Sequence, residues 1–168
     1  MGNPLRKLFS GAAGLRRGLL LYGPFLGAGV RVDTLSKDFR YVRVSMGMHW
    51  YNRNYVGTHF GGSLYSMTDP FYMLMLINNL GGDYIVWDKS ARIDFVSPGK
   101  GRVFAEFELT DAMLNEVRAA TAGGDKYLPT WPVTVRDGAG NTVAEVSKTL
   151  YVRKKRDHHT PASGRSAP

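Results

Sequence analysis

The longest apolar stretch of the chain lies between two glycine pairs, at 60–82, and reads FGGSLYSMTDPFYMLMLINNLGG. Its apolar residues do not alternate with polar ones, as they would on a half-buried strand, and they cover every side of a helix. The pattern therefore predicts one long helix that is buried on all sides. Pro70 removes one backbone N–H from this helix, so we expect a local kink there. The stretch is too short and too polar to span a membrane.

The segments on either side of this stretch show the alternation of half-buried strands. The predicted strands cover 39–50, 84–86, 91–96, 101–109, 132–136 and 142–152. Thr110 is a suitable N-cap for a short helix over 111–122, and 137–141 is typical of a hairpin turn. A helix that is apolar all round must be wrapped by a sheet on one side and covered on the other. We therefore predict an α+β fold with a mostly antiparallel sheet, and a second copy of the chain is the simplest cover.

The two ends of the chain differ in composition from its middle. We predict a basic and apolar helical extension over 1–35, the main domain over 36–155 and a disordered tail over 156–168. Two other interpretations of the extension stay open: a secretory signal peptide, and an amphipathic segment that lies on a lipid surface. Neither interpretation involves stable insertion into a membrane, because the apolar run is short and interrupted by glycine and proline.

Composition narrows the chemistry that the chain can perform. The 168 residues suit a single domain, and the absence of cysteine excludes disulfides, a thiolate nucleophile and a zinc site with cysteine ligands. We predict a cytoplasmic protein without a metal ion. The net charge of +8 is concentrated near the two ends, and none of the usual nucleic-acid-binding motifs is present, so we predict no nucleic-acid partner.

Asp69 is the only acidic or basic residue within 60–82. A charged carboxylate inside an apolar helix is expensive unless it is paired or functional. Gly61 and Gly62 lie at the predicted start of the same helix, where free N–H groups favour a developing negative charge. Seven residues separate Gly62 from Asp69, which is roughly 10 Å along a helix axis. A small carbonyl group cannot contact both, so cooperation would require the helix of a second copy.

The residues from Asn54 to Asp69 also resemble a known active-site segment. Asn54, six residues, Gly61-Gly62, six residues and Asp69 match the segment of phenylacetate-degradation-type acyl-CoA thioesterases. The segments at 52–64, 86–91 and 148–155 further resemble a hotdog subgroup that is often called tetrameric acyl-CoA thioesterase. The resemblance covers about residues 5 to 155 and implies a hotdog fold, in which a curved antiparallel sheet wraps one long central helix.

The same resemblance implies a mechanism, namely hydrolysis of acyl-CoA thioesters at a dimer interface. Backbone N–H groups of Gly61 and Gly62 would form the oxyanion site, and Asp69 of the facing subunit would be general base or nucleophile. Asn54 would orient the water or the carboxylate. Coenzyme A would be part of the substrate, no cofactor would be needed, and the protein would be a homodimer or homotetramer.

Departures from the family pattern leave a second function open. Relatives commonly carry histidine directly before the glycine pair, whereas here Phe60 occupies that position and His59 precedes it; His59 is still a catalytic candidate. The residues that we expect to contact substrate are Thr58, Phe60, Ser66, Met73 and Lys100. Phe60 and Met73 also favour the alternative, a hotdog protein that binds acyl-CoA or a fatty acyl chain without hydrolysing it.

Overall fold

The computed structural model describes residues 11–155 of the chain. The helices are α1 (Gly11–Leu20), α2 (Gly23–Ala28), α3 (Gly61–Ser66), α4 (Phe71–Leu80) and α5 (Asp111–Thr121). The strands are β1 (Val30–Leu35), β2 (Tyr41–Met46), β3 (Tyr84–Phe95), β4 (Val103–Glu108), β5 (Lys126–Tyr127), β6 (Thr130–Asp137) and β7 (Thr142–Lys154). The predicted tail, 156–168, lies outside the described residues. Within 11–155, no helix is long and apolar enough to cross a membrane.

The seven strands form one antiparallel sheet that does not close into a barrel. Its order is β1-β2-β4-β6-β7-β3, and the short β5 pairs with β7. The hairpin predicted between β6 and β7 is confirmed, with Asp137 Oδ1 accepting hydrogen bonds from Ala139 N and Asn141 N, each at 2.9 Å. The N-cap at Thr110 is confirmed as well, since its Oγ1 accepts a hydrogen bond from Met113 N at 3.2 Å.

The core lies between the sheet and α4. Phe71 and Tyr72 place their rings 5.0 and 5.3 Å from the ring of Phe107 on β4, and Phe107 has no exposed surface. Met75 and Leu76 are also fully buried on this face of the helix. Burying each of these side chains stabilises the fold by roughly 1.5–3 kcal/mol. Packing of an apolar helix against one face of an antiparallel sheet confirms the predicted α+β class.

The single helix predicted over 60–82 is wrong in two respects. It is divided into α3 and α4 by the segment 67–70, because Pro70 has no N–H to continue the helical hydrogen-bond ladder. Thr68 Oγ1 instead donates to Tyr65 O at 2.8 Å and closes the end of α3. Burial is also incomplete, since Ile77 on α4 is 41% exposed in the single chain.

Several strands also differ from the prediction. β2 ends at Met46, and Trp50, at the end of the predicted strand 39–50, lies outside it and is 85% exposed. The predicted strands 84–86 and 91–96 are one strand, β3, which contains a bulge between Asp88 and Ser90. Most of β3 is exposed on both faces, so its polar centre does not alternate with apolar residues. β1 was not predicted; it lies within 1–35 and pairs with β2.

Candidate functional site

The loop before α3 is shaped by Asn54. Its amide nitrogen donates to Thr58 Oγ1 at 2.8 Å and to His59 O at 3.3 Å, and its Oδ1 accepts from Thr58 N at 3.0 Å. Both amide hydrogens are therefore used within the loop 54–59. Asparagine commonly stabilises turns through such bonds. These hydrogen bonds of Asn54 fix the path by which the backbone enters α3.

A cavity of about 420 Å³ opens beside this loop. Its walls come from the loop before α3, from α3 itself and from the end of β3 with the turn that follows. The lining residues are Asn54, Val56, Thr58, His59, Gly61, Leu64, Phe95, Val96, Ser97, Pro98 and Gly99. Polar and apolar groups share this wall: Asn54, Thr58, His59 and Ser97 are polar, and Val56, Leu64, Phe95 and Val96 are apolar.

His59 is the most deeply buried titratable group of the cavity wall, with 3% of its surface exposed. Its Nε2 donates to Gly101 O at 2.8 Å, and its backbone N donates to Gly99 O at 3.1 Å. The other ring nitrogen, Nδ1, is buried and has no hydrogen-bond partner among the described residues. Burial lowers the pKa of His59 below its ordinary value, against the opposing effect of the bond to Gly101. The ring is therefore neutral at pH 7, with a lone pair on Nδ1.

Gly61 and Gly62 begin α3. Within residues 11–155, neither of their N–H groups donates to another group, whereas the next two, those of Ser63 and Leu64, donate to Phe60 O. The ring of Phe95 lies over Gly61, and a Cβ atom on Gly61 would be only 2.7 Å from Phe95 Cζ. Gly61 thus places a free N–H at the cavity wall.

Asp69 is not part of that wall; it lies in the segment between α3 and α4. Its carboxylate accepts a hydrogen bond from Lys148 Nζ on β7 at 2.5 Å. The side chain of Lys148 is 1% exposed and that of Asp69 is 42% exposed. Asp69 is therefore anchored from inside the protein while one side of its carboxylate remains open to solvent.

A second carboxylate, Asp88 on β3, faces the same ammonium group. Its Oδ1 lies 3.2 Å from Lys148 Nζ, close enough for an ion pair but without hydrogen-bond alignment. Burial raises the pKa of Asp88 above its ordinary value, and the charge of Asp69 acts in the same direction against the opposing effect of Lys148. Burial disfavours the charge on Lys148, yet its bond to Asp69 and the charge of Asp88 outweigh that effect and raise its pKa. We call Asp69, Asp88 and Lys148 the carboxylate–lysine cluster.

The structure separates the residues that we expected to contact substrate. Thr58 lines the cavity, and Phe60 is 57% exposed next to it. Ser66 and Met73 do not line the cavity, and Met73 packs against the core. Lys100 is exposed, one residue beyond Gly99 of the cavity wall. Among residues 11–155, no cluster of three or more histidines and carboxylates could hold a metal ion.

Sequence reasoning missed Asp88 and Lys148 as residues of a site. Both lie in segments that carry the family resemblance, 86–91 and 148–155. Only the pairing of β3 with β7 in the folded chain places them close to Asp69. Lys148 could have been suspected, because it occupies an inward position of β7 between the buried Val146 and Leu150. A lysine at an inward strand position needs a partner.

Comparison with protein families gives one match, which covers most of the chain. The family described as Domain of unknown function (DUF4442) matches residues 8–152. The chain belongs to this family. No curated protein matches its sequence.

Solved structures identify the fold of this DUF4442 protein. A protein of unknown function from Pseudomonas aeruginosa, described as a probable thioesterase, superposes with a TM-score of 0.70 at 19% identity, covering 92% of this chain and 98% of that one. A thioesterase from Haemophilus influenzae superposes with a TM-score of 0.63 at 14% identity, over 89% and 94% of the two chains. A variant of a thioesterase from Staphylococcus aureus gives 0.56 at 15% identity, over 77% and 97%. The shared fold is the hotdog type, which confirms the fold that the resemblance implies.

Proposed function

We propose that this protein hydrolyses acyl-CoA thioesters at a site formed by two copies of the chain. One observation carries the proposal: a cavity of about 420 Å³ whose wall holds the free N–H of Gly61. The apolar side chains of Leu64, Phe95 and Val96 in the same wall suit an acyl chain. The thioesterases that share the fold support the choice of reaction.

The free N–H groups supply the stabilisation that thioester hydrolysis needs. The carbonyl oxygen of the substrate would accept hydrogen bonds from Gly61 and Gly62, and these strengthen as the oxygen gains negative charge. Water attacks the carbonyl carbon, the carbon–sulfur bond breaks, and the products are a carboxylic acid and the free thiol of coenzyme A. Asp69 would take the proton from water and return it to the sulfur. In the other route, the Asp69 carboxylate attacks the carbonyl carbon and displaces the thiolate of coenzyme A, and water then hydrolyses the mixed anhydride to release the acid and regenerate Asp69.

A second copy of the chain is needed because Asp69 does not line the cavity of its own chain. The open side of its carboxylate can instead face the cavity of a neighbour. Large apolar side chains are exposed on the segments that line the cavity or directly adjoin its lining residues, and we call them the apolar rim: Tyr55, Val56, Phe60, Phe95 and Val96. An apolar surface of this kind favours contact with another chain.

The remaining candidates have supporting roles in this proposal. Asn54 and Thr58 hold the loop that aims the Gly61 N–H, rather than acting on water directly. His59 ties the loop to the turn after β3 through its hydrogen bonds to Gly99 O and Gly101 O. Lys100, exposed beside Gly99, would attract the phosphates of coenzyme A.

The decisive experiment measures thiol release from acyl-CoAs of graded chain length. We expect turnover by the wild type and a loss of at least about 1,000-fold in kcat for Asp69→Asn, because the amide can neither accept the proton nor attack. Asp94→Asn is the matched control, since Asp94 is an exposed carboxylate on β3 whose only ion-pair partner within 11–155 is Arg92.

Two results would contradict the proposal. Saturable acyl-CoA binding without thiol release would instead identify a binding protein. Full activity of Asp69→Asn at an unchanged oligomeric state would remove Asp69 from the mechanism.

A further inference from the structure

We propose that the end of α1, α2 and the loop 47–53 together dock on a membrane surface that contains anionic lipids. The apolar side chains exposed on these segments form what we call the α1–α2 patch: Leu20, Leu21, Tyr22, Leu26, Trp50 and Tyr51. Such docking requires no hydrolysis, so it stands apart from the proposed function.

The α1–α2 patch is one surface made from two segments that are distant in sequence. Leu26 of α2 and Tyr51 of the loop line the same cavity of about 270 Å³. Ring contacts extend the surface on both sides: Tyr22 lies 5.5 Å from Phe25 of this cavity, and Trp50 lies 5.7 Å from Tyr51. The exposed side chains are therefore neighbours in the fold, whereas scattered single apolar residues would need no explanation.

The apolar face of α1 is not available for lipid, because it packs on the domain. Ala12 and Leu19 are buried, and Arg16 Nε donates to Val32 O on β1 at 2.9 Å. An amphipathic helix that lies flat on a bilayer would need that face. Contact with lipid must therefore come from the residues that follow the helix, of which Leu21 is 73% exposed.

The charge on the same segments suits an anionic partner. Residues 11–32 and 47–53 contain no acidic residue and four arginines: Arg16, Arg17, Arg31 and Arg53. Within 11–155, none of these arginines is in an ion pair. The other described residues contain 14 lysines and arginines and 13 acidic residues, so together they are nearly neutral. Positive charge is thus concentrated at the patch.

A bilayer with anionic headgroups matches both the charge and the shape of the patch. Trp50 and Leu21 are 85% and 73% exposed, so they project from the surface. Tryptophan and tyrosine favour the boundary between headgroups and acyl chains, and arginine pairs with the phosphates there. A second copy of the same face would bring like charges together. An acidic protein would need a preformed pocket for each projecting side chain.

The first test is co-sedimentation of the full chain with vesicles of phosphatidylcholine, alone or with about 30% phosphatidylserine. We expect binding only to the anionic vesicles, and weaker binding as the salt concentration rises. Arg31→Gln should lower the affinity about fivefold, which is the contribution of one arginine near such a surface. Arg118→Gln is the matched control, because it removes the same charge from α5 and should bind like the wild type.

Insertion of the apolar side chains is tested by the double variant Leu21→Ser/Trp50→Ser. Both side chains are exposed, so the variant should fold, and circular dichroism checks this. We expect its affinity for the anionic vesicles to fall at least about tenfold. Trp87→Ser is the control: it removes another exposed tryptophan, on β3 at the opposite end of the strand order from β1, and should leave binding unchanged.

Fluorescence of Trp50 reports insertion directly. This residue is the most exposed of the three tryptophans, and the others, Trp87 and Trp131, are 51% and 8% exposed. Movement of its ring into the boundary layer should shift the emission to shorter wavelength when anionic vesicles are added. Trp50→Phe should abolish the shift while binding is retained.

The opposite results would overturn the proposal. If the wild type does not bind the anionic vesicles, lipid is excluded as the occupant, and a changed oligomeric state of the double variant would then identify a second copy in its place. Equal binding by the wild type and the double variant, or binding without a shift in emission, would show that positive charge alone attracts the chain and that the patch does not insert.

Discussion

At the scale of single residues, the backbone conformation around Gly61 makes its proposed role as an oxyanion donor directly testable. It begins α3, its N–H is free, and the preceding Phe60 has φ −64° and ψ 129°. Proline fits the first position of a helix, and extended backbone is the conformation required before proline. One substitution can therefore delete the N–H and leave the backbone path unchanged.

We expect Gly61→Pro to lower kcat by about 100- to 1,000-fold, as the loss of one oxyanion donor does elsewhere. Gly61→Ala is the control, because its Cβ meets the same Phe95 ring but its N–H remains. Phe95 is 58% exposed and can move aside in both variants. Equal activities of Gly61→Pro and Gly61→Ala would show that this N–H has no part in the reaction, and circular dichroism checks that both are folded.

His59 should make stability depend on pH. Because burial lowers its pKa in the folded state, the unfolded chain binds a proton more readily, at about pH 6.5. The free energy of unfolding should therefore fall as the pH drops below about 6.5, by at most about 1.4 kcal/mol per pH unit. Chemical denaturation between pH 7.5 and 5.5 measures this slope.

In His59→Gln the slope should become shallower, because this variant lacks the group that binds the extra proton in the unfolded chain. A slope that is the same in His59→Gln and the wild type would show that another group causes the pH dependence.

At the scale of elements, the turn between β3 and β4 holds His59 in place. Carbonyl groups of Gly99 and Gly101 accept the two hydrogen bonds from this residue. Gly99 packs so closely that a Cβ atom would lie 2.8 Å from Val143 Cγ1 and 3.3 Å from His59 Cδ2. Val143 is 1% exposed, so it has little room to yield.

Gly99→Ala should destabilise the protein by about 1–3 kcal/mol, because it overfills a packed contact. Gly138→Ala is the matched control: it lies in another turn, and a Cβ there would have no atom within 4 Å. We expect its effect to stay within about 0.5 kcal/mol. Thermal denaturation of both variants gives the comparison, and equal stabilities would mean that the turn relaxes without cost.

Elements with a clear pattern were predictable from sequence, and the others were not. The β6–β7 hairpin and α5 have turn or capping residues next to regular alternation or helical spacing, and both are found as predicted. β3 failed because exposure on both faces removes the alternation on which strand prediction depends. The apolar content of α3 and α4 was clear, but the chain direction after Pro70 depends on tertiary packing.

The candidate site, like the fold, was only partly predictable from the sequence. The spacing from Asn54 to Asp69 is a local pattern, and it pointed to the loop and to Gly61, which line the cavity. The partnership of Asp69 with Lys148 spans 79 residues and depends on the register of the sheet. No local pattern contains that information.

At the scale of the whole molecule, the proposal divides one site between two chains. Gly61 and the cavity come from one copy, and Asp69 comes from the other. Two inactive variants can then complement each other, provided that their defects fall in different halves of the site.

We expect a mixture of Asp69→Asn and Gly61→Pro chains, unfolded and refolded together, to recover about one quarter of wild-type activity. About half of randomly formed dimers are hybrids, and each hybrid contains one intact site of two. Each variant refolded alone is the control, and size-exclusion chromatography confirms that dimers form. Activity no higher than the average of the two variants would show that each chain contains a whole site.

The carboxylate–lysine cluster places protein stability and catalytic turnover in opposition. Three charged groups packed at the sheet cost more in lost hydration than a well-fitted set of apolar side chains would, so replacing them all at once is a route to greater stability. Selection for heat resistance alone would thus be expected to erase the cluster. Selection for turnover would retain it. The residues at these three positions therefore indicate whether selection for heat resistance or selection for turnover has shaped the protein.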